Sequence, residues 1–334
     1  IVDAVAEAQA SMTEATIDWT LGTSEVAVNR DLIVNGRALV GFNPGAEADD
    51  TVVVGRVVRL DGTVIATIAN YACHPTTLAW QNLKISPDYV GALREVVEDG
   101  TGAPCVFLQG ASGDLSPRVQ YSDDTDLADR HGRAIGHAVL AAVETLPLPG
   151  HELEYSGAME SGAPLAIWSE VPAKYSTALD VRGNAVELAL QPLASLDELA
   201  VEWSDIPAQS RDERVRRAAD LRADYIAAGA VSVPHPFWVA LVGGAALVAH
   251  PGEAFSALQV ELRKRHPERP VLVLNLTNGP GFVYLPDASA YEQHSYQAWQ
   301  TVLAPGCLED LIDAADRSLH ELLSSSANQE GVIA

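Results

Sequence analysis

Two hydrophobic periods alternate along the chain. Val52 to Leu60 and Val64 to Ala69 are apolar runs rich in β-branched residues, and Asp61-Gly62-Thr63 joins them. Asp-Gly between such runs predicts a β-hairpin. Val239 to Ala249, with Gly243-Gly244 inside, reads as a second hairpin that ends at His250. Pro104 to Gln109 and Val271 to Leu276 are short apolar runs between polar loops, the pattern of buried strands. Glu152 to Ile167 alternates more loosely and predicts a strand pair.

Helical spacing fills the intervals. Ile1 to Thr16 sets Val2, Val5, Ala6 and Met12 against Asp3, Glu7 and Glu14. Pro87 to Asp99 gathers Tyr89, Val90, Leu93, Val96 and Val97 on one side, with Gly100 as the stop. Asp126 to Thr145 ends at Pro147 and Pro149, and Glu253 to His266 ends at Pro267. Leu193 to Ala228 mixes Arg211, Arg214, Arg216 and Arg217 with Asp212, Glu213, Asp220 and Asp224, a solvated helical face. Ala298 to Ser324 closes the chain as an amphipathic helix. Short strands interleaved with longer helices predict an α/β fold of mixed sheets with helices packed on them. No Pro/Gly/Ser linker divides the chain, so residues 1–334 read as one large domain.

Charge narrows the partners. The 334 residues carry 45 acids against 21 bases, a formal charge of −24. That surface repels nucleic acid and anionic membranes and keeps the protein soluble. No apolar run is long enough to insert stably in a bilayer. The three cysteines, Cys73, Cys105 and Cys307, form no CxxC pair, and the odd count argues against a disulfide framework. Cys73 and Cys105 sit in apolar strands as small hydrophobes, although Cys73 directly precedes His74. His131 and His137 lie on the wrong spacing to share a helix face and read as solvated or packing residues. The chain opens with no Met, no helix cap and no leader, as though inside a longer protein, which leaves the compartment open between cytoplasmic and secreted.

Chemistry collects at strand ends. One strand ends in Asn70-Tyr71-Ala72-Cys73-His74-Pro75-Thr76-Thr77, and another leads through Gln109-Gly110-Ala111-Ser112 into Gly113-Asp114-Leu115-Ser116-Pro117. A third ends in His250-Pro251-Gly252-Glu253. The carboxyl ends of strands are where open α/β sheets keep their sites. An imidazole, a hydroxyl and a carboxylate delivered there suit metal-assisted hydrolysis. Each residue also has a plainer reading. His74 before Pro75 is a structural strand end, Glu253 in a first helical turn is a capping carboxylate, and Ser116 is a turn residue. Asp114 either caps the next element or orients the hydroxyl. No glycine follows Ser116 by two residues, so the loop is not a Gly-x-Ser-x-Gly elbow. Tyr284, Tyr291 and Tyr296, after the glycine-rich stretch Thr277 to Phe282, read as packing residues or as phenols able to donate or to bind metal.

These pieces, in this order, resemble the catalytic domain of the neutral (alkaline, non-lysosomal) ceramidase family over nearly the whole chain. Five blocks carry the resemblance: Asn29-Arg30; Asn70 to Thr76; Gln109 to Pro117; Pro251-Gly252-Glu253-Ala254-Phe255; and Tyr284-Leu285-Pro286 through Tyr291-Glu292 to Tyr296. The resemblance implies a zinc amidase that cleaves the N-acyl bond of ceramide, or of a related N-acyl lipid or amide, to a fatty acid and an amine. It implies zinc ligands at His74, Glu253 and Tyr284, a catalytic serine at Ser116 beside Asp114, and Tyr296 as a holder of the substrate carbonyl. Two departures stand out. The family's first zinc histidine lies in a segment ahead of the opening helix and has no match here, and the C-terminal β-sandwich is absent. The loop before Tyr284 is also one residue longer than the family pattern. Phe237, Trp238 and Trp168 are candidates to line an acyl groove, and an ordinary core explains them equally well. A metal-independent serine hydrolase using Ser116, or a non-catalytic ligand-binding relative, stays open beside the zinc amidase.

Overall fold

The computed structural model describes residues 1–227, 229–279 and 283–330. It is an α/β fold in four layers, helices–sheet–sheet–helices. The first sheet runs in the order Ala15–Thr23, Thr51–Arg59, Val64–Tyr71, Cys105–Gln109. Its first three strands are antiparallel, and Cys105–Gln109 lies parallel to Val64–Tyr71. Helices Tyr89–Thr101 and Thr125–Val143 cover its outer face. The second sheet runs Leu179–Ala189, Ser232–Val242, Ala245–Ala249, Val271–Leu274, and its last two strands are parallel. Helices Ala257–Arg265 and Cys307–Glu330 cover that sheet.

The inner faces of the two sheets meet around Val53, Ala245 and Leu272. Val52 and Val54, pointing the other way from Val53, join the core under the helices. A strand buried on both faces cannot show alternation, which is why Val52, Val53 and Val54 follow one another with no polar residue between them. The two helices on the first sheet touch through a glycine. A Cβ at Gly132 would stand 2.2 Å from the Tyr89 carbonyl oxygen, so no larger residue permits that approach.

Both hairpins form as predicted, as do the strand pair His151–Glu160 with Pro164–Pro172 and the helix at 125–143. Other elements differ in extent. The opening helix spans only Val2–Ala10 and buries nothing, and Ala15–Thr23 continues as a strand paired with Thr51–Arg59. Gly100 does not stop its helix. The chain continues to Thr101 and turns at Gly102, whose φ of 69° suits the left-handed cap. The charged stretch splits into Leu196–Glu202 and Ala208–Tyr225, with Pro207 at the second N-cap. The closing segment splits into Tyr296–Gln300 and Cys307–Glu330.

The largest difference concerns Glu253. The predicted helix 253–266 is a two-residue strand, Glu253–Ala254, followed by helix Ala257–Arg265. The short strand pairs in parallel with Tyr284–Leu285. Glu253 is therefore not a first-turn carboxylate. No helix among the described residues is long and apolar enough to cross a membrane.

Candidate active site

The Gly113–Pro117 loop is held at nearly every peptide. Gly113 N–H donates to the Ala254 carbonyl at 2.8 Å. The Gly113 carbonyl accepts from Arg30 Nε at 3.0 Å, Arg30 Nη2 at 2.7 Å and Gln297 Nε2 at 3.0 Å. Arg30 N–H donates to the Asp114 carbonyl at 2.9 Å. Glycine is required at 113 because a Cβ would lie 2.8 Å from the Glu253 carbonyl oxygen and 2.9 Å from that of Ala254. The loop is thereby pressed against the strand that carries Glu253.

The same loop sets the orientation of His74. Its Nδ1 lies 2.7 Å from the Ser112 carbonyl and 3.1 Å from that of Leu115. Two carbonyl oxygens can only accept, so Nδ1 carries the proton and donates. Nε2 then presents a bare lone pair, and it faces Glu253 Oε2 at 3.0 Å. Two acceptors at that distance repel unless a cation lies between them. A proton is one solution, but the site opposes it. Burial and the nearby Arg30 guanidinium lower the His74 pKa, so the imidazole prefers to be neutral. Burial raises the Glu253 carboxyl, while the Tyr284 hydroxyl, the Arg30 charge and any cation held at His74 Nε2 favour its ionised form. A metal ion satisfies both lone pairs without a proton.

Tyr284 completes the group. Its strand pairing puts it opposite Glu253, and its hydroxyl faces that carboxylate. Burial and the negative charge of Glu253 push its phenol pKa well up. Arg30 Nη2 stands 3.5 Å from the Tyr284 hydroxyl, and its guanidinium carbon lies 5.9 Å from the ring centroid. His74, Glu253 and Tyr284, from strand ends far apart in sequence, thus form one cluster with an imidazole–carboxylate–phenol donor set. Imidazole nitrogen and carboxylate oxygen are established zinc donors. The Tyr296 ring packs edge-on against Tyr284, with centroids 5.6 Å apart.

Ser116 is fully buried on the short strand Leu115–Pro117, opposite Val28. Its Oγ accepts from Gln120 Nε2 at 2.9 Å. It follows Leu115, whose carbonyl receives both the His74 backbone N–H and Nδ1–H. Asp114 faces another element. Its two oxygens accept from Ser256 N–H at 2.6 Å and Ser256 Oγ at 2.8 Å, at the start of helix Ala257–Arg265. Burial raises its pKa to about 6.

Two features had no clear signal in the sequence. Arg30 stood out only as part of a motif, yet it binds the serine loop and flanks Tyr284. Behind Glu253 runs a buried chain of polar groups. Tyr225 OH lies 2.8 Å from His235 Nδ1, His235 Nε2 3.1 Å from His250 Nδ1, and His250 Nε2 2.7 Å from Asn275 Oδ1. Asn275 Nδ2 donates to the Ala254 carbonyl, the acceptor of Gly113 N–H. Burial drops His235 to about 3 and His250 to about 4, so both are neutral. One set of tautomers satisfies every link: each imidazole accepts at Nδ1 and donates from Nε2. The chain anchors the junction between the serine loop and the Glu253 strand.

Of the aromatic residues considered for an acyl groove, Phe237 is core, Trp168 is exposed on the outer hairpin, and Trp238 is half-buried. An apolar groove lies instead at Trp203, Trp299, Leu199, Leu221, Tyr291 and Val302, with a volume of about 400 Å³. Trp299 meets Tyr296 edge-on at 5.0 Å and so links this groove to the tyrosine pair. Of the glycine-rich stretch before Tyr284, Pro280–Phe282 lie outside the described residues. A second cluster with metal-ligating chemistry, His266, Asp316 and His320, stands apart from this site.

Solved structures place the fold. The chain superposes on neutral ceramidase from Pseudomonas aeruginosa with a TM-score of 0.66 and 17% identity, covering 96% of this chain and 55% of that one. A ceramidase solved in complex with C2 gives a TM-score of 0.62 at 16% identity, covering 95% of this chain and 55% of the other. The chain therefore has a ceramidase-like fold and spans about half the length of these neighbours. No protein-family model and no curated protein matches it.

Proposed function

We propose that residues 1–334 form one hydrolase domain of the neutral ceramidase family, a zinc-dependent amidase acting on the N-acyl bond of ceramide or a related N-acyl lipid or amide. The observation that carries this reading is the pair of lone pairs at His74 Nε2 and Glu253 Oε2, 3.0 Å apart with the imidazole proton held on the far nitrogen. His74, Glu253 and Tyr284 would hold the ion. Bound there, zinc supplies Lewis-acid polarisation of the amide carbonyl and a water whose pKa falls towards about 7.

The chain's own groups do the rest. Tyr296 donates to the oxyanion as the carbonyl becomes tetrahedral. Arg30 holds the Gly113 carbonyl and keeps positive potential beside Tyr284. Ser116 attacks the carbonyl or stabilises the tetrahedral oxygen, and Asp114 fixes the loop through Ser256. The groove beyond Tyr296 and Trp299, about 400 Å³ in volume, would take the acyl chain. The ceramidase-like fold and the five motif blocks support this substrate class.

The test is hydrolysis of N-acyl amides of graded chain length by the metal-loaded protein. Turnover is expected, and Ser116→Ala abolishes it while zinc content stays unchanged. Retained activity in that variant removes Ser116 from the mechanism. Full activity after chelation, with zinc loss verified by elemental analysis, favours the metal-independent serine hydrolase. A zinc-loaded protein that binds these amides without cleaving them is a ligand-binding relative.

A further inference from the structure

The cluster of His266, Asp316 and His320 shares no residue with the site above. Helix Ala257–Arg265 begins just after Glu253 and ends at His266, its C-cap. Nine residues at about 1.5 Å each put the two sites at opposite ends of a helix some 13 Å long. Asp316 and His320 are one turn apart on helix Cys307–Glu330, which packs against it.

The donors converge. His266 Nε2 lies 2.9 Å from Asp316 Oδ1, and His320 Nδ1 lies 3.3 Å from the same oxygen. One ligand atom from each of the three residues falls within 4.8 Å of the others. Tetrahedral zinc with bonds of about 2.0–2.1 Å sets its donors roughly 3.3 Å apart. The surroundings also suit an ion. Arg265 Nη1 takes the other carboxylate oxygen, Oδ2, at 3.2 Å and Asp313 at 2.8 Å, which orients Asp316 and leaves Oδ1 for a ligand bond. Glu268 Oε1 stands 4.0 Å from His266 Nδ1, beyond hydrogen-bond reach, and accepts instead from Arg269 Nε at 2.9 Å. The helix ending at His266 points its negative pole at the cluster.

His266 is buried while His320 is largely exposed, with 63% of its side chain in solvent. His320 Nδ1 also lies 3.0 Å from the Asp316 carbonyl, a contact it gives up or shares when it turns a lone pair to the ion. Its exposure permits that movement and leaves a fourth position to water. Two imidazoles and one carboxylate select zinc-like transition ions over calcium or magnesium, which prefer all-oxygen shells.

We propose that His266, Asp316 and His320 form a second divalent transition-metal site, a clamp that ties the C-terminal helix to the helix leading from Glu253. The clamp would stiffen the two helices that cover the second sheet.

The test is zinc stoichiometry by calorimetric titration of the metal-stripped full chain, run in Glu253→Gln so that the first site is weakened. About one equivalent is expected there, and adding His320→Ala removes it. Cobalt(II) should give the intense visible absorption of a four-coordinate ion in Glu253→Gln, lost in the double variant. Magnesium should not compete. The exposed His320 makes its substitution compatible with folding, which far-ultraviolet circular dichroism checks. Stoichiometry and cobalt spectrum unchanged by His320→Ala overturn the proposal. Failure of the first site alone reads differently: Glu253→Gln then binds as much zinc as the parent, while His320→Ala still removes an equivalent.

Discussion

Glu253→Gln separates the metal reading from a plain hydrogen-bond reading, because the two predict opposite signs. In the metal-free protein at neutral pH, the His74 lone pair confronts an ionised carboxylate at 3.0 Å. Glutamine puts an N–H₂ in that place and converts repulsion into a hydrogen bond worth about 1 kcal/mol. The metal-free variant should therefore be as stable as the parent or slightly more so. With zinc the order reverses. At a free zinc concentration of 100 Kd, a site that binds only the folded chain contributes about 2.7 kcal/mol. A chain of 334 residues unfolds with an entropy near 0.7 kcal/mol/K, from about 2.1 cal/mol/K per residue, so that contribution raises Tm by about 4 °C. Differential scanning calorimetry with and without zinc reads both effects. The parent's zinc-induced shift should exceed that of Glu253→Gln by about 4 °C, and the variant's metal-free Tm should be no lower than the parent's. An equal zinc shift in both, or a clear loss of metal-free stability in the variant, would refute the reasoning.

Other perturbations follow from the same geometry. Tyr296→Phe should lower kcat on an amide substrate by about 10²–10³, the cost of one oxyanion donor, with zinc content unchanged; a loss of zinc would instead make Tyr296 a ligand. Gly113→Ala should destabilise the fold by roughly 1–3 kcal/mol in urea titrations, because its methyl needs space 2.8 Å from the Glu253 carbonyl, and a neutral effect would mean the strand yields. Asp114 titrates at about 6 in the folded chain and near 3.9 when unfolded. Between these values the native state binds the extra proton, so this group's contribution to stability falls as pH rises from about 4 to 6 and is flat above. Asp114→Asn keeps an acceptor for Ser256 N–H and should remove that slope from urea titrations across the range; an unchanged slope would place the titrating group elsewhere.

Much of the site is legible in residue types and their order. β-Branched runs around Asp61-Gly62 produce a hairpin by local turn chemistry, and an apolar run ending in His74-Pro75 sets an imidazole at a strand end. The group His74, Glu253 and Tyr284, expected from separate motifs, does converge. The element under Glu253 differs from its sequence pattern for a local reason: Pro-Gly-Glu before apolar residues looks like a helix start, yet Glu253–Ala254 is a strand. What holds Glu253 extended is its pairing with Tyr284, a contact across an intervening helix and strand that no short window of sequence contains. Asp114 shows the same limit, since the N–H it caps belongs to Ser256, 142 residues away. Arg30, His235, His250 and Asn275 resemble ordinary buried polar residues until the fold aligns their donors and acceptors.

By itself, then, the sequence determined which side chains stand at strand ends, the α/β class and the acidic surface, because periodicity and turn chemistry act over a few residues. Tertiary structure alone decided which nitrogen of His74 carries its proton and that a carboxylate faces the other. It likewise brought His266 against Asp316 and His320. Those outcomes depend on distances of about 3 Å between segments remote in the chain, where only packing of the two sheets and their helices sets the geometry.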